Sequence, residues 1–203
     1  MITITGRITN PVSGDQDNSL PKVRAKQKQM TTTIPNAVIS HTNVGVLMSD
    51  AYHYSIATNG MVEKLRRAGK SFAFASGASG YKGSGAQTLT GTRAAAVITM
   101  PITANGATSY SALSGLDSVT AASGAALTSW QVSADDFVTF LTITSVALSG
   151  TNVVLTLAAT PAGAVKVRNH QGKSPDVSSW VFGTYADAFK IALEPLFIPI
   201  TVT

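Results

Sequence analysis

The sequence contains no cysteine, which excludes disulfides, thiolate metal sites and a cysteine nucleophile. Acidic residues are scarce, ten Asp and Glu against fifteen Lys and Arg. Charged residues make up only 12% of the chain and aromatics 7%. Of the three histidines, His41, His53 and His170, no two stand at short ligand spacing, so the sequence offers no local metal-ligand motif. No apolar run reaches the length of a membrane span. The start, MITITGRITNP, has neither the charged n-region nor the apolar h-region of a secretory signal, and none is expected.

What is present is small and apolar. The chain has 203 residues, 44% of them hydrophobic, with mean hydropathy +0.20. That is enough material for a core and argues against disorder. Heavy use of Ala, Gly, Ser and Thr with few charges gives a neutral surface, which favours packing against neighbours. The net charge is +5, and about half of the cations fall between Arg7 and Arg67, so basicity is local to the first third.

One stretch there stands out. LPKVRAKQKQM, residues 20–30, places Lys22, Arg24, Lys26 and Lys28 at alternate positions. In an extended strand all four share one face, about 6–7 Å apart; on a helix they scatter. Read as a strand, the row admits three roles: protecting a sheet edge, docking on an acidic protein surface, or tracking phosphates. Residues 20–36 contain no aromatic for base stacking, which disfavours nucleic acid. An edge or arm that meets another protein is the expectation.

Strand signals dominate the rest. Ile2 and Ile4 alternate with threonines, and AVISHTNVGVLM supplies β-branched material. RAAAVITMPIT reads as a strand ending at Pro101. FVTFLTITSVAL and VVLTLAAT flank the turn SGTN, followed by PAGAVKVRN, SSWVFGTY and LFIPITVT. In VKVR the valines 165 and 167 oppose Lys166 and Arg168. Pro195 and Pro199 confine the last segment to an edge. MVEKLRRAGK, 61–70, is the one charged helical candidate, with Met61, Val62, Leu65 and Ala68 on one face and Gly69 as its stop; a strand pair joined by a basic turn is the other reading. The fold class expected is all-β, an antiparallel β-sandwich or sandwiches, with at most one short helix near residues 61–69. An N-terminal β-rich docking and assembly region over 1–125 is expected to precede a C-terminal β-sandwich module over 126–203.

No constellation carries chemistry. Gly-Lys-Ser occurs at 69–71 and 172–174, but a phosphate loop needs an earlier glycine where Lys64 and Val167 stand; both read as loop tripeptides. The Gly-rich 76–85 segment lacks a nucleophile elbow because Tyr81 occupies the place of its final glycine. His170 with Asp176 reads as loop polarity rather than as a catalytic pair. Asp15-Gln16-Asp17-Asn18 lacks the glycine and distal glutamate of a calcium loop. Asp135 and Asp136 adjoin the FVTF strand.

The stretch LTITSVALSGTNVVLTLAATPAGAVKVRNHQGKSPDVSSWVF, followed by LEPLFIPITV, resembles a small β-sandwich module of tailed-bacteriophage proteins. Its markers are S-G-T-x-V, P-A-G-x-V-x-V and G-x-S-P-D. In such proteins the module closes virion appendages or phage-encoded esterase-like proteins; the latter carry a Gly-Asp-Ser block that this chain lacks. ITITGRITNPVSGDQDNSLPKV is similar to the opening of phage fibre proteins. The resemblance implies a non-enzymatic virion protein, a capsid decoration protein or a short head or tail fibre, docked on other virion proteins. It implies a homo-oligomer, a trimer before a dimer, with no cofactor, no nucleic acid and no membrane. Lys22, Arg24, Lys26 and Lys28 are the candidate docking residues. The alternative is an accessory carbohydrate-binding or esterase-like module, with Trp130, Trp180 and Tyr185 as candidate sugar-stacking aromatics.

Overall fold

The computed structural model describes residues 2–4, 16–35, 39–42, 61–78, 87–104, 109–112, 130–169, 181–185, 189–193, 196 and 198–203. Most of their regular structure is strand in antiparallel sheets, accompanied by two helices.

The N-terminal elements form a small unit of mixed type. Strand β1 (Ile2–Ile4) and strand β2 (Ile39–Thr42) pair in parallel, with helix α1 (Gln16–Thr33) between them in the chain. Parallel neighbours need such a crossover. Helix α1 packs against β1, and helix α2 (Glu63–Ala75) packs against β2.

Two expectations are corrected here. The basic row is helical, and helix content exceeds one short segment. In KVRAKQKQM, Lys, Arg, Ala, Gln and Met all favour helix, and Val23 is its one β-branched residue. The cations alternate, but no apolar face alternates with them to bury in a sheet. The helix even accommodates Pro21, which lacks an amide to donate. Gly69 does not stop α2, which runs on to Ala75. A helical glycine costs about 1 kcal/mol relative to alanine, too little to end a helix packed on a strand. Gly69-Lys70-Ser71 therefore lies within a helix and not in a loop.

The larger part is antiparallel. Strands β3 (Gln87–Thr88), β5 (Val97–Thr103), β9 (Asn152–Leu157) and β8 (Ile143–Ser149) follow one another in one sheet, and β4 (Thr92–Ala94) pairs with β5. A second sheet runs β13 (Ile200–Val202), β10 (Val165–Asn169), β7 (Trp130–Ser133). A third runs β12 (Phe189–Ala192), β11 (Val181–Tyr185), β6 (Ser109–Ala112). The β8–β9 hairpin turns at Gly150, whose φ of 58° suits glycine. RAAAVITMPIT is a hairpin rather than one strand: β4 and β5 flank Ala95-Ala96, and β5 continues past Pro101. β13, which begins directly after Pro199, is an edge strand among the described ones.

Period-2 burial fixes the register. Ile98, Met100 and Ile102 of β5 face inward beside Leu155 and Val153 of β9, which pair with Ile98 and Met100. Val165 and Val167 of β10 are buried opposite Val202 and Val132. One hydrophobic cluster draws on both of these sheets, with Trp130, Ile143 and Val146 among its members. Among the described glycines Gly91 marks the tightest approach, since a Cβ there would stand 2.9 Å from Val202 Cγ2 and 3.2 Å from Met100 Cγ.

The expected division at 125/126 lies outside the described residues. Across it, β5 pairs with β9 and β6 pairs with β11.

Candidate functional site

The best-built surface feature connects the two sheets that share the cluster. After β7 the chain does not continue as the expected FVTF strand. Residues 134–142 form a loop, and β8 begins only at Ile143. Leu141 N donates to Val132 O at 2.8 Å, which closes the loop at its base.

Ser133 organises it. Its buried hydroxyl accepts from the amides of Phe137 (2.8 Å) and Asp135 (3.1 Å) and donates to Asp135 Oδ1 (2.7 Å). That is the full capacity of a hydroxyl, one donor and two acceptors. The Asp135 carboxylate also accepts from the Thr139 hydroxyl (2.6 Å) and the Thr139 amide (2.9 Å). These bonds from Thr139, then the one from Ser133, favour the ionised form and hold its pKa down at about 2.

The bonds hold strained backbone. Asp136 and Phe137 have φ of 59° and 68°, the left-handed region that non-glycine residues avoid. Each such residue costs about 1–3 kcal/mol and persists only where its surroundings over-determine it.

The loop folds over the outer face of the β7–β10 pair. Period 2 on β10 puts Lys166 and Arg168 outward, as expected from VKVR, with Gln131 of β7 opposite Arg168. Lys166 Nζ pairs with Asp136 Oδ1 at 2.7 Å, and Arg168 Nε donates to Gln131 Oε1 at 2.6 Å. The guanidinium carbon lies 4.0 Å from the Phe137 centroid and 5.8 Å from that of Phe140. Burial lowers the Arg168 pKa, and the Asp136 charge partly opposes this. The loop thus has its own foundation and holds Val138, 80% exposed, and Phe140, 54% exposed, in water.

The helices show a second unusual surface. On α1, Arg24 is buried while Val23, Met30 and the adjoining Ile34 are exposed. On α2, Arg67 and Ser71 are buried while Val62, just before it, Leu65 and Phe72 are exposed. Both helices therefore turn apolar residues outward and an arginine inward.

The candidates from the sequence separate. Lys22, Arg24, Lys26 and Lys28 do not share a face, because α1 is a helix and Arg24 is only 2% exposed. Lys22 and Lys26 are exposed, with Lys26 Nζ donating to Gln29 Oε1 at 3.0 Å. Lys28 reaches Gln87 Oε1 on β3 at 3.2 Å. Trp130 is 2% exposed and belongs to the core, so its ring is closed to a sugar. Trp180 lies outside the described residues. Tyr185 ends β11, paired with Phe189 of β12. His41 lies on β2, while His53, His170 and Asp176 lie outside the described residues. Among the described residues no group of three or more His, Asp or Glu is placed to hold a metal ion.

Phe137, Val138 and Phe140 were missed because FVTF reads as strand. The signal was Ser133-x-Asp135 with Thr139 four residues on, side chains that compete for backbone amides and break a strand.

No family model and no curated protein matches the sequence. Among solved structures the chain is similar to a carbohydrate acetylesterase from Xanthomonas citri, at 15% identity and a TM-score of 0.59. That match covers 95% of this chain and 39% of the esterase, so the chain spans well under half of the esterase's length. It is also aligned with the N-terminal part of the bacterial S-layer protein SbsC, at 11% identity and a TM-score of 0.37, over 72% of this chain and 29% of that one. The first likeness concerns the fold alone, and the second is too distant to carry an argument.

Proposed function

We propose that the chain is a non-enzymatic structural component of a tailed-phage virion, a capsid decoration protein or a short head or tail fibre, that docks on neighbouring virion proteins. The observation that carries the docking role is the 133–140 loop. Its backbone is strained at two residues, the Ser133 hydroxyl and the Asp135 carboxylate are hydrogen-bonded within it, and it holds Val138 and Phe140 in water. Exposed apolar groups on a rigid support are what a protein interface needs. The virion assignment rests on the sequence resemblance, whose markers S-G-T-x-V and P-A-G-x-V-x-V bracket β9 and lead into β10. In this reading the two sheets that share the hydrophobic cluster pack face to face as a β-sandwich. The particle-bound protein is a homo-oligomer, a trimer before a dimer.

A second reading is favoured by one observation, the likeness to part of a carbohydrate acetylesterase. In that reading the chain is an accessory carbohydrate-binding or esterase-like module, with Phe140 as the exposed ring in place of the buried Trp130. Hydrolysis of acetylated sugars and a glycan array separate the two. The structural role predicts neither turnover nor retention, and robust signal in either assay would sink it. Light scattering at micromolar concentration tests the trimer, against which a monodisperse monomer would count.

A further inference from the structure

The edge of a sheet presents a row of backbone N–H and C=O groups that another strand can pair with, and natural proteins blunt such edges. The two sheets that share the hydrophobic cluster show this at three of their ends, among the described residues. β3 is only two residues long. β13 is three residues long and follows Pro199 directly. β7 carries its own loop, whose Leu141 amide donates to Val132 O.

The fourth end, β8, lacks these devices. It is seven residues long, Ile143–Ser149, and pairs with β9; among the described residues no strand pairs with its other side. It contains no proline, and no residue from 137 to 165 is charged. The hairpin sets which groups point outward. Leu157 N donates to Ala96 O, beside β5, at 2.8 Å. Alternation along an antiparallel ladder then turns the backbone of Asn152, Val154 and Thr156 to β8. Their partners there are Ser149, Ala147 and Ser145. The N–H and C=O groups of Val146 and Leu148 therefore point away from β9, along the open edge.

We propose that β8 pairs with β8 of a second copy of this chain, antiparallel about a two-fold axis at Val146, so that one sheet runs through both copies. Such a pairing is self-complementary, because both mates offer the same donors and acceptors at the same spacing over the same length. The chain carries a net charge of +5, and β8 is where two copies meet without bringing like charges together. An acidic partner would instead be steered to the basic first third. In this register Val146 faces its own copy across the axis, and Ser145 stands opposite the partner's Ala147. The inference does not rest on the virion role. It is compatible with the proposed trimer, since a two-fold and a three-fold axis together close as a dihedral assembly.

Sedimentation of the full chain at micromolar concentration tests the pairing. The variant Ser145→Lys/Ala147→Lys sets like charges directly opposite each other across the axis, which destabilises a strand pair. Both positions are half-buried, on the other face of β8 from Val146, so circular dichroism and melting should stay near those of the wild type. Association is expected to weaken at least about tenfold, the scale of two opposed like-charge pairs. Ser145→Glu/Ala147→Glu should weaken it likewise, and an equimolar mixture of the two variants should recover it. Exchange of the Val146 and Leu148 amides should slow as the wild type associates. Equal masses for the wild type and both variants overturn the assignment, as does a mixture that recovers nothing. Amide protection that appears only with purified particles would make another particle protein the occupant, and overturns it too. Particles that lack the chain while the pairing is intact would remove the virion role and leave the pairing.

Discussion

The Arg168 guanidinium lies 4.0 Å above the Phe137 ring, and the same side chain is tied to Gln131 by a 2.6 Å hydrogen bond. The stack joins strand β10 to a residue whose backbone is strained, so it helps to hold the loop on the sheet. Arg168→Lys is expected to cost about 1 kcal/mol, the scale of a partly desolvated cation–π contact. For a chain of this size that is a fall in Tm of about 2–4 °C. An unchanged Tm would show that the stack contributes nothing.

Asp135 gives the loop a pH limit. Its folded pKa, about 2, lies below the ordinary carboxylate value. Its contribution is therefore complete above the unfolded pKa and is lost as pH falls through the folded one. The Thr139 amide resonance is expected to titrate with a midpoint near pH 2, and Asp135→Asn should remove that titration. A midpoint at an ordinary carboxylate value would mean that the bonds from Thr139 are not formed.

Two glycines should respond in opposite directions. Gly69 sits in a helix with open space around its Cβ position, so Gly69→Ala is expected to stabilise by about 0.5–1 kcal/mol. Gly91 faces Val202, Met100 and Ile200 at close range, so Gly91→Ala is expected to cost about 1–3 kcal/mol through overpacking. Chemical denaturation measures both.

Trp130 is a core residue, and Trp130→Ala is expected to cost about 3–5 kcal/mol. Trp130→Phe should cost less. A variant that folds normally but loses sugar binding would instead place the ring at a binding surface.

Legibility in the sequence followed burial. Strands β9 and β10 read cleanly because every second residue is apolar and the sheet buries that set. Gly150 announced its turn because a positive φ favours glycine there. The basic row misled because its period belonged to charges, and nothing apolar alternated with it to pack in a sheet. In FVTF, β-branched and aromatic residues have strand propensity, but Ser133 and Asp135 capture the amides that a strand would need. The apolar side of α2 was visible as a helical face, yet periodicity does not tell which face is buried. Met61, Val62, Leu65 and Ala68 were read as one face, and the buried face carries Arg67.

The proposed role is that of a docked component of a virion, held by preorganised apolar surface. Quantitative mass spectrometry of gradient-purified particles, made with either the wild type or the Val138→Ser/Phe140→Ser variant, tests it most directly. A fixed copy number for the wild type relative to the capsid or tail proteins is expected. A severalfold lower number is expected for the variant, whose exposed substitutions should leave stability within about 0.5 kcal/mol. Particles that lack the wild-type chain would contradict it.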